Sequence, residues 1–326
     1  MNIIITGSLG YDYIMDFPGK IADRIMPHKI HKISLSFLVN RLKKQFGGTA
    51  GNIAYSLKLL GMNPLILSAA GNDFSPYLKF LSSNKISTNY IKVIASEVTG
   101  SYFVVTDTED NQIGAFYEGA MKQNSVLKLQ SIDEKIDFVV IAPNDPSAMI
   151  KQIDECNKLN TPYMYDPAFQ IDHFSPHELL EAIKNCAILI GNDYEIALIE
   201  KKLKINHEKL VYLTSIVVTT LGNKGSIIEF NPSSPPHKLR KGKAGFLKIK
   251  PAKVANTQDP TGAGDAYRAG FLAGFLRGLD LVTCGQMGSV AAAYTVEKYG
   301  TQTHKFSKED FQNRYEENYH QKIKIS

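Results

Sequence analysis

The run Asp137-Phe138-Val139-Val140-Ile141-Ala142 opens the part of the chain whose pattern decides the fold. A helical segment over residues 146–159 follows it, then Tyr163-Met164-Tyr165-Asp166, a second helical segment over 176–185, and Ala187-Ile188-Leu189-Ile190 ending in Gly191-Asn192. Strands that are apolar without alternation are buried on both faces, and strand–helix–strand alternation stacks them in parallel with helices on either side. Working outward, residues 2–7, 64–70 and 215–220 read as further buried strands, and 53–60 and 74–81 as helices. The expected fold is α/β, three layers with a mainly parallel central sheet. Such sheets bind ligands beyond the carboxyl ends of their strands, which makes Ser8 and Asp12, after the first strand, site candidates. Gly7-Ser8-Leu9-Gly10 lacks the glycine spacing and the immediate helix of a dinucleotide site.

Two glycine-rich loops each open a helix. In Asp259-Pro260-Thr261-Gly262-Ala263-Gly264-Asp265 the backbone N–H groups can approach a ligand without side-chain obstruction, and a helix N-terminus favours an anion. A carboxylate beside a phosphate is repelled, so Asp265 makes sense as a general base taking a proton from an attacking hydroxyl. The other loop, Phe46-Gly47-Gly48-Thr49-Ala50-Gly51-Asn52, is either a plain turn or a place where Gly48 and Asn52 meet a hydroxylated substrate. Asn192 and Glu195 suit a helix cap with first-turn acids, or the metal–phosphate end of a pocket. Thr220-Leu221-Gly222-Asn223-Lys224-Gly225 is a turn on which a nucleotide could lie close to backbone.

Residues 13–45 are irregular, and the alternation around 32–37 suggests a half-buried strand outside the main sheet. Residues 102–106 and 112–117 flank a polar turn and predict a hairpin. Phe103 and Phe116 lie near equivalent points of its arms and could share one face or belong to the core. Residues 231–245, with three prolines, should be a surface loop.

Composition narrows the classes. The chain has 326 residues, is 44% apolar and carries a formal charge of +5, with Lys201-Lys202 and the basic cluster over 238–243 read as solvated surface and no nucleic-acid partner expected. Three scattered cysteines point to buried thiols in a reducing, cytoplasmic setting. The N-terminus reads as a strand, not a signal peptide, and no membrane span is expected. Small residues on the helix over 263–277 should pack closely against an alanine-rich helix over 288–298.

Taken together, the loops resemble the paired signatures of the ribokinase, or PfkB, family of carbohydrate and nucleoside kinases. The first runs Gly47-Gly48, Gly51-Asn52, Ala54, Gly61, Gly71 and the second is Asp259-x-Thr261-Gly262-Ala263-Gly264-Asp265, with Asp12, Asn192-x-x-Glu195 and Thr220-x-Gly222-x-x-Gly225 in place. Thr6-Gly7-Ser8, Phe17-Pro18-Gly19, residues 31–39, Phe116-Tyr117-Glu118-Gly119-Ala120-Met121 and Asp265-Ala266-Tyr267-Arg268-Ala269-Gly270-Phe271 look like the bacterial adenosine kinases of the mycobacterial type.

The resemblance implies a single ribokinase-like kinase domain over 1–326, with a small β lid formed by about 13–45 and 98–118. It implies transfer of the ATP γ-phosphoryl group to the 5′-hydroxyl of adenosine with Mg2+, a reaction of purine salvage. By it Asp12 holds the ribose hydroxyls, helped by Ser8, Gly48 and Asn52. Ser36 approaches the nucleoside, and Phe103 and Phe116 sandwich the purine. Asp265 is the base, and Gly262, Ala263 and Gly264 hold the migrating charge. Asn192 and Glu195 order Mg2+ through water, and the turn of Thr220, Gly222 and Gly225 seats the ATP adenosine. A monovalent cation such as K+ would take Asp259 and Thr261, although Thr295, Gly300 and His304 supply no clear further ligands. Exposed apolar lid edges favour a homodimer formed through the lid. Two other readings compete: a ribokinase- or fructokinase-like sugar kinase, against which an aromatic sandwich argues, and a catalytically silent nucleotide-binding protein, against which an intact Asp265 argues.

Overall fold

The computed structural model describes residues 1–29, 32, 34–109, 111–231 and 245–325. In chain order its elements are β1 (Asn2–Thr6), β2 (Gly10–Asp16), β3 (Arg41–Gly47), α1 (Thr49–Leu59), β4 (Asn63–Gly71), α2 (Ser75–Ser83), β5 (Ile91–Ile94), β6 (Gly100–Thr106) and β7 (Gln112–Tyr117). There follow β8 (Phe138–Ile141), α3 (Pro146–Leu159), β9 (Tyr163–Tyr165), α4 (Pro176–Asn185), β10 (Ile188–Asn192), α5 (Asp193–Leu203), α6 (His207–Leu213) and β11 (Ile216–Thr220). The chain then forms β12 (Ser226–Phe230), β13 (Gly245–Ile249), α7 (Ala263–Leu276), α8 (Leu281–Val296) and α9 (Lys308–Tyr319).

The main sheet runs β13-β12-β11-β10-β9-β8-β1-β4-β5. From β5 to β11 every pairing is parallel, and β12 and β13 add an antiparallel edge. Successive side chains of a strand point to opposite faces, so unbroken apolar runs feed two cores. Ile3, Ile5, Phe138 and Val140 pack with α1, α2, α7, α8 and α9 on one side, and Ile4, Val139 and Ile141 pack with α3, α4, α5 and α6 on the other. This is the expected three-layer α/β architecture. The small-residue stripe does what its pattern suggests: a Cβ on Gly270 would stand 2.4 Å from the Met287 carbonyl oxygen, and one on Gly274 3.2 Å from Cys284. Cys156, Cys186 and Cys284 are free and buried. Among the described residues no helix is long and apolar enough to cross a membrane.

A second, four-stranded sheet runs β3-β2-β6-β7. It corrects two expectations. The strand outside the main sheet is not in the alternating stretch; residues 34–39 form no strand, because the place beside β2 is taken by 41–47 in the register Tyr11↔Phe46 and Tyr13↔Lys44. Phe37 instead packs edge-on against Phe17. Asp12 is also not at the end of β1; it lies within β2, in the small sheet. The expected surface loop and the basic cluster over 238–243 fall at 232–244, outside the described residues, as do residues 30, 31, 33 and 110.

Candidate active site

The second glycine loop enters α7 through Gly262, whose φ of 78° lies in the left-handed region that glycine tolerates. Buried Asp259 fastens the loop, its carboxylate accepting from the N–H of Thr261 at 2.9 Å and of Gly300 at 3.0 Å. The Ala263 N–H donates to the Pro260 carbonyl at 3.2 Å, and the first helical bond is made by Ala266 to Gly262. Ala263, expected as an anion donor, is thus already engaged, whereas the N–H groups of Gly264 and Asp265 make no hydrogen bond among the described residues.

Asp265, in the first turn of α7, accepts from Asn52 Nδ2 at 2.8 Å. Asn52 Oδ1 in turn accepts from Gln302 Nε2 at 2.8 Å, Gln302 reaches the Tyr77 hydroxyl, and that hydroxyl donates to the Gly47 carbonyl at 2.9 Å. Both glycine loops are therefore tied into one buried network. Burial raises the pKa of Asp265, Arg268 and the Asn52 bond pull it back, and Glu195 pushes it up again. That brings a carboxylate closer to the range useful for a base. Asp12 is pushed up to about 7 by burial and then by the charges of Asp265 and Asp259, so the three acids lie near one another. The Asp12 carboxylate lies against Gly47, where any Cβ would stand 2.2 Å from its Oδ2. Ser8 Oγ accepts from the Thr49 N–H at 3.1 Å beside Gly48.

The register of the small sheet changes the aromatic assignment. Tyr102 pairs with Phe116 and with Asp12, while Phe103 pairs with Ala115 and with Tyr13. Because side chains alternate between faces, Asp12, Tyr102 and Phe116 share one face and Phe103 occupies the other. Phe103 stacks on Tyr13 with ring centroids 4.7 Å apart, and a sandwich of Phe103 with Phe116 is excluded. Phe116 instead looks across to Phe169, 6.2 Å away on the turn after β9. Ser36 is exposed in the chain leading to β3.

On the other side of the anion loop is a cavity of about 470 Å3 lined in part by Thr220, Gly222, Gly225, Ala263, Gly264 and Tyr267. Val254, Ala292 and Val296 give it an apolar wall. Asn192 and Glu195 form a reciprocal cap on α5: the Asn192 N–H donates to Glu195 Oε2 at 2.7 Å, and the Glu195 N–H donates to Asn192 Oδ1 at 2.8 Å. Glu195 is still near enough to act on Asp265 electrostatically, but Asn192 does not line the cavity. Sequence reasoning missed Gln302, Phe169, the cavity wall from Pro251 to Thr257 and the buried ion pair of Asp166 with Arg268, in which Asp166 Oδ2 lies 2.5 Å from Arg268 Nε. The ion pair had a signal: an arginine in an otherwise apolar helix and an Asp-Pro at a strand end.

Two buried acids near enough to act on each other's charge, beside a glycine loop that borders an apolar cavity, fit an α/β phosphotransferase acting on a hydroxyl. The sequence matches the pfkB family of carbohydrate kinases over residues 17–308, and the chain belongs to that family. It is 33% identical over 310 residues to a nucleoside kinase of Methanothermobacter thermautotrophicus, covering 93% of this chain and 91% of that protein. It also superposes on the Burkholderia thailandensis nucleoside kinase in complex with inosine, with a TM-score of 0.89, 29% identity and coverage of 98% of this chain and 99% of that one. The same enzyme in its ADP-inosine complex gives a TM-score of 0.87 at 30% identity, covering 99% and 98%.

Proposed function

We propose that the protein is a nucleoside kinase that transfers the γ-phosphoryl group of ATP to the 5′-hydroxyl of adenosine, giving AMP and ADP. One observation carries the reading: Asp265, held by Asn52, lies near enough to Asp12 to raise its pKa, and Asp12 shares a face of the small sheet with Tyr102 and Phe116. A purine stacks on an aromatic face over its whole ring, whereas ribose or fructose gains only C–H packing from one. In this reading Asp12, Ser8, Gly48 and Asn52 bind the ribose, and Ser36 closes over the nucleoside with the lid. Phe116 and Tyr102 take the base, and Phe103 is withdrawn from that role. The cavity beside Thr220, Gly222 and Gly225 takes the ATP adenosine.

Phosphoryl transfer is mostly positioning and charge stabilisation. Asp265 accepts the hydroxyl proton, and the N–H groups of Gly262 and Gly264 face the migrating charge. Glu195 and Asn192 fit a hydrated Mg2+, because the Glu195 cap engages Oε2 and leaves the other carboxylate oxygen without a hydrogen bond among the described residues. Bound there, the ion would neutralise phosphate charge. Asp259 and Thr261 would face K+ through the loop they already order. The far face of the small sheet exposes Leu42, Phe103, Ile113 and Tyr117, which supports a homodimer through the lid, and the free, buried cysteines support a reducing, cytoplasmic setting.

A coupled ADP-release assay with adenosine, inosine, ribose and fructose tests the reading. Adenosine should give the highest kcat/KM. Preference for inosine would widen the acceptor to other nucleosides, and preference for ribose or fructose would replace the reading with a sugar kinase.

A further inference from the structure

Arg268 stands one turn after Asp265 on α7 and is only 7% exposed. One edge of its guanidinium is engaged by Asp166: Nε lies 2.5 Å from Oδ2, and Nη2 donates to Oδ1 at 2.9 Å. The other edge is not. Nη1 makes no hydrogen bond among the described residues, and it lies 2.7 Å from where a Cβ on Gly264 would stand. Gly264 belongs to the anion loop and lines the nucleotide-side cavity. Nη1 is not among the fully buried polar atoms left without a partner, so it still reaches space that a ligand can occupy. Here the free donor is directed at the loop that receives a phosphate. Burial disfavours the charge on Arg268, but Asp166 more than offsets this, and Asp265 and Glu195 add to the effect, so the group stays protonated.

We propose that Arg268 is a catalytic residue whose Nη1 group binds an oxygen of the phosphoryl group in transit, while Asp166 fixes the guanidinium in place. The proposal rests on the phosphoryl-transfer reading above but not on the identity of the acceptor. As the acceptor O–H bond breaks, its proton passes to Asp265 and the oxygen bonds to the γ-phosphorus. The bond from that phosphorus to the bridging oxygen breaks, and its electron pair leaves with the nucleoside diphosphate. Arg268 keeps its protons throughout and acts by fixed charge and a directed hydrogen bond. The hydrogen at Gly264 Cα leaves room for this contact, because any side chain there would meet the guanidinium.

The test uses the full chain with two changes. Arg268→Lys keeps the charge and removes the fork; Arg268→Met combined with Asp166→Asn removes both charges, so that no buried carboxylate is left uncompensated. Initial rates are measured with the best acceptor found above, and calorimetry gives the affinity for ADP alone and for ADP with aluminium fluoride and acceptor. Both variants should lose about 100-fold or more in kcat. ADP affinity should stay within about threefold of wild type, while the tightening produced by aluminium fluoride disappears. Retained kcat, or an ADP affinity that falls as far as kcat does, would overturn the proposal and return Arg268 to a purely structural role. If the wild type phosphorylates a sugar and no nucleoside, the acceptor reading fails while the Arg268 test stands on that sugar.

Discussion

The two walls that would enclose the acceptor hydroxyl are built in opposite ways. On the α7 side, Asp265, Asn52, Gln302 and Tyr77 form a buried chain of hydrogen bonds that ends on the Gly47 backbone. On the lid side, every residue of β7 is exposed, and the aromatic rings meet only a few neighbours. A reaction that depends on in-line geometry needs the first kind of wall, since small displacements of a base are costly. Selection of a flat base by stacking tolerates the second, because a lid can close on the substrate after it binds. The contrast separates what is done from what it is done to.

The largest test of this division is at the rigid wall. Asp265→Asn should lower kcat by about 100-fold or more while leaving nucleoside affinity within a few fold, read by initial rates and by calorimetry. A loss of affinity matching the loss of rate would show that Asp265 holds the substrate and does not act on it. Next comes the lid. Phe116→Ala should raise KM for adenosine about 10-fold, in line with roughly 1–3 kcal/mol for base stacking, whereas Phe103→Ala on the opposite face should change KM less than about twofold. The reverse order would mean that the other lid face meets the substrate.

Asp12 joins the two walls, and its signature is in stability. Its folded-state pKa, near 7, exceeds its ordinary value, so its contribution to stability is fully present below about pH 4 and is lost as pH rises through 7. Asp12→Asn should therefore raise the melting temperature of the ligand-free protein by a few degrees at pH 8 and hardly at all at pH 4, while abolishing nucleoside binding. Equal shifts at both pH values would detach the effect from the carboxylate. The smallest effect serves as a control distant from both walls. His207 bridges Glu200 and Glu229 at 2.6 and 2.5 Å, and although burial lowers its pKa, the two carboxylates raise it overall. This half-exposed staple contributes below about pH 6.5 and is lost as pH rises through the raised value. His207→Gln should cost under about 1 kcal/mol at pH 6 and less at pH 9, by denaturant unfolding, with kcat unchanged.

The parallel sheet was legible because strands buried on both faces leave continuous apolar runs, and both glycine loops because their backbone demands are local. Other features depended on partners that the local pattern does not contain. The sides taken by Phe103 and Phe116 follow from hairpin register, and pairing Thr106 with Gln112 puts them one residue out of step. Gln302 is an ordinary polar residue in sequence and acquires its role only when the chain returns beside Asn52. The edge strands β5, β12 and β13 are short and adjoin turns or polar chain, which masks their alternation. Asn192 and Glu195 are the instructive middle case. Their cap was foreseeable from spacing, and Glu195 while capping α5 is still near enough to raise the pKa of Asp265, so the capping reading does not exclude the functional one.

The close seam between α7 and α8 carries one more consequence. Gly270 and Gly274 let the helix that starts at the anion loop touch the helix that carries Ala292, Ala293 and Val296. If the cavity takes the ATP adenine as proposed, the loop that holds the phosphates and the wall that meets the adenine are one casting, with no joint between them.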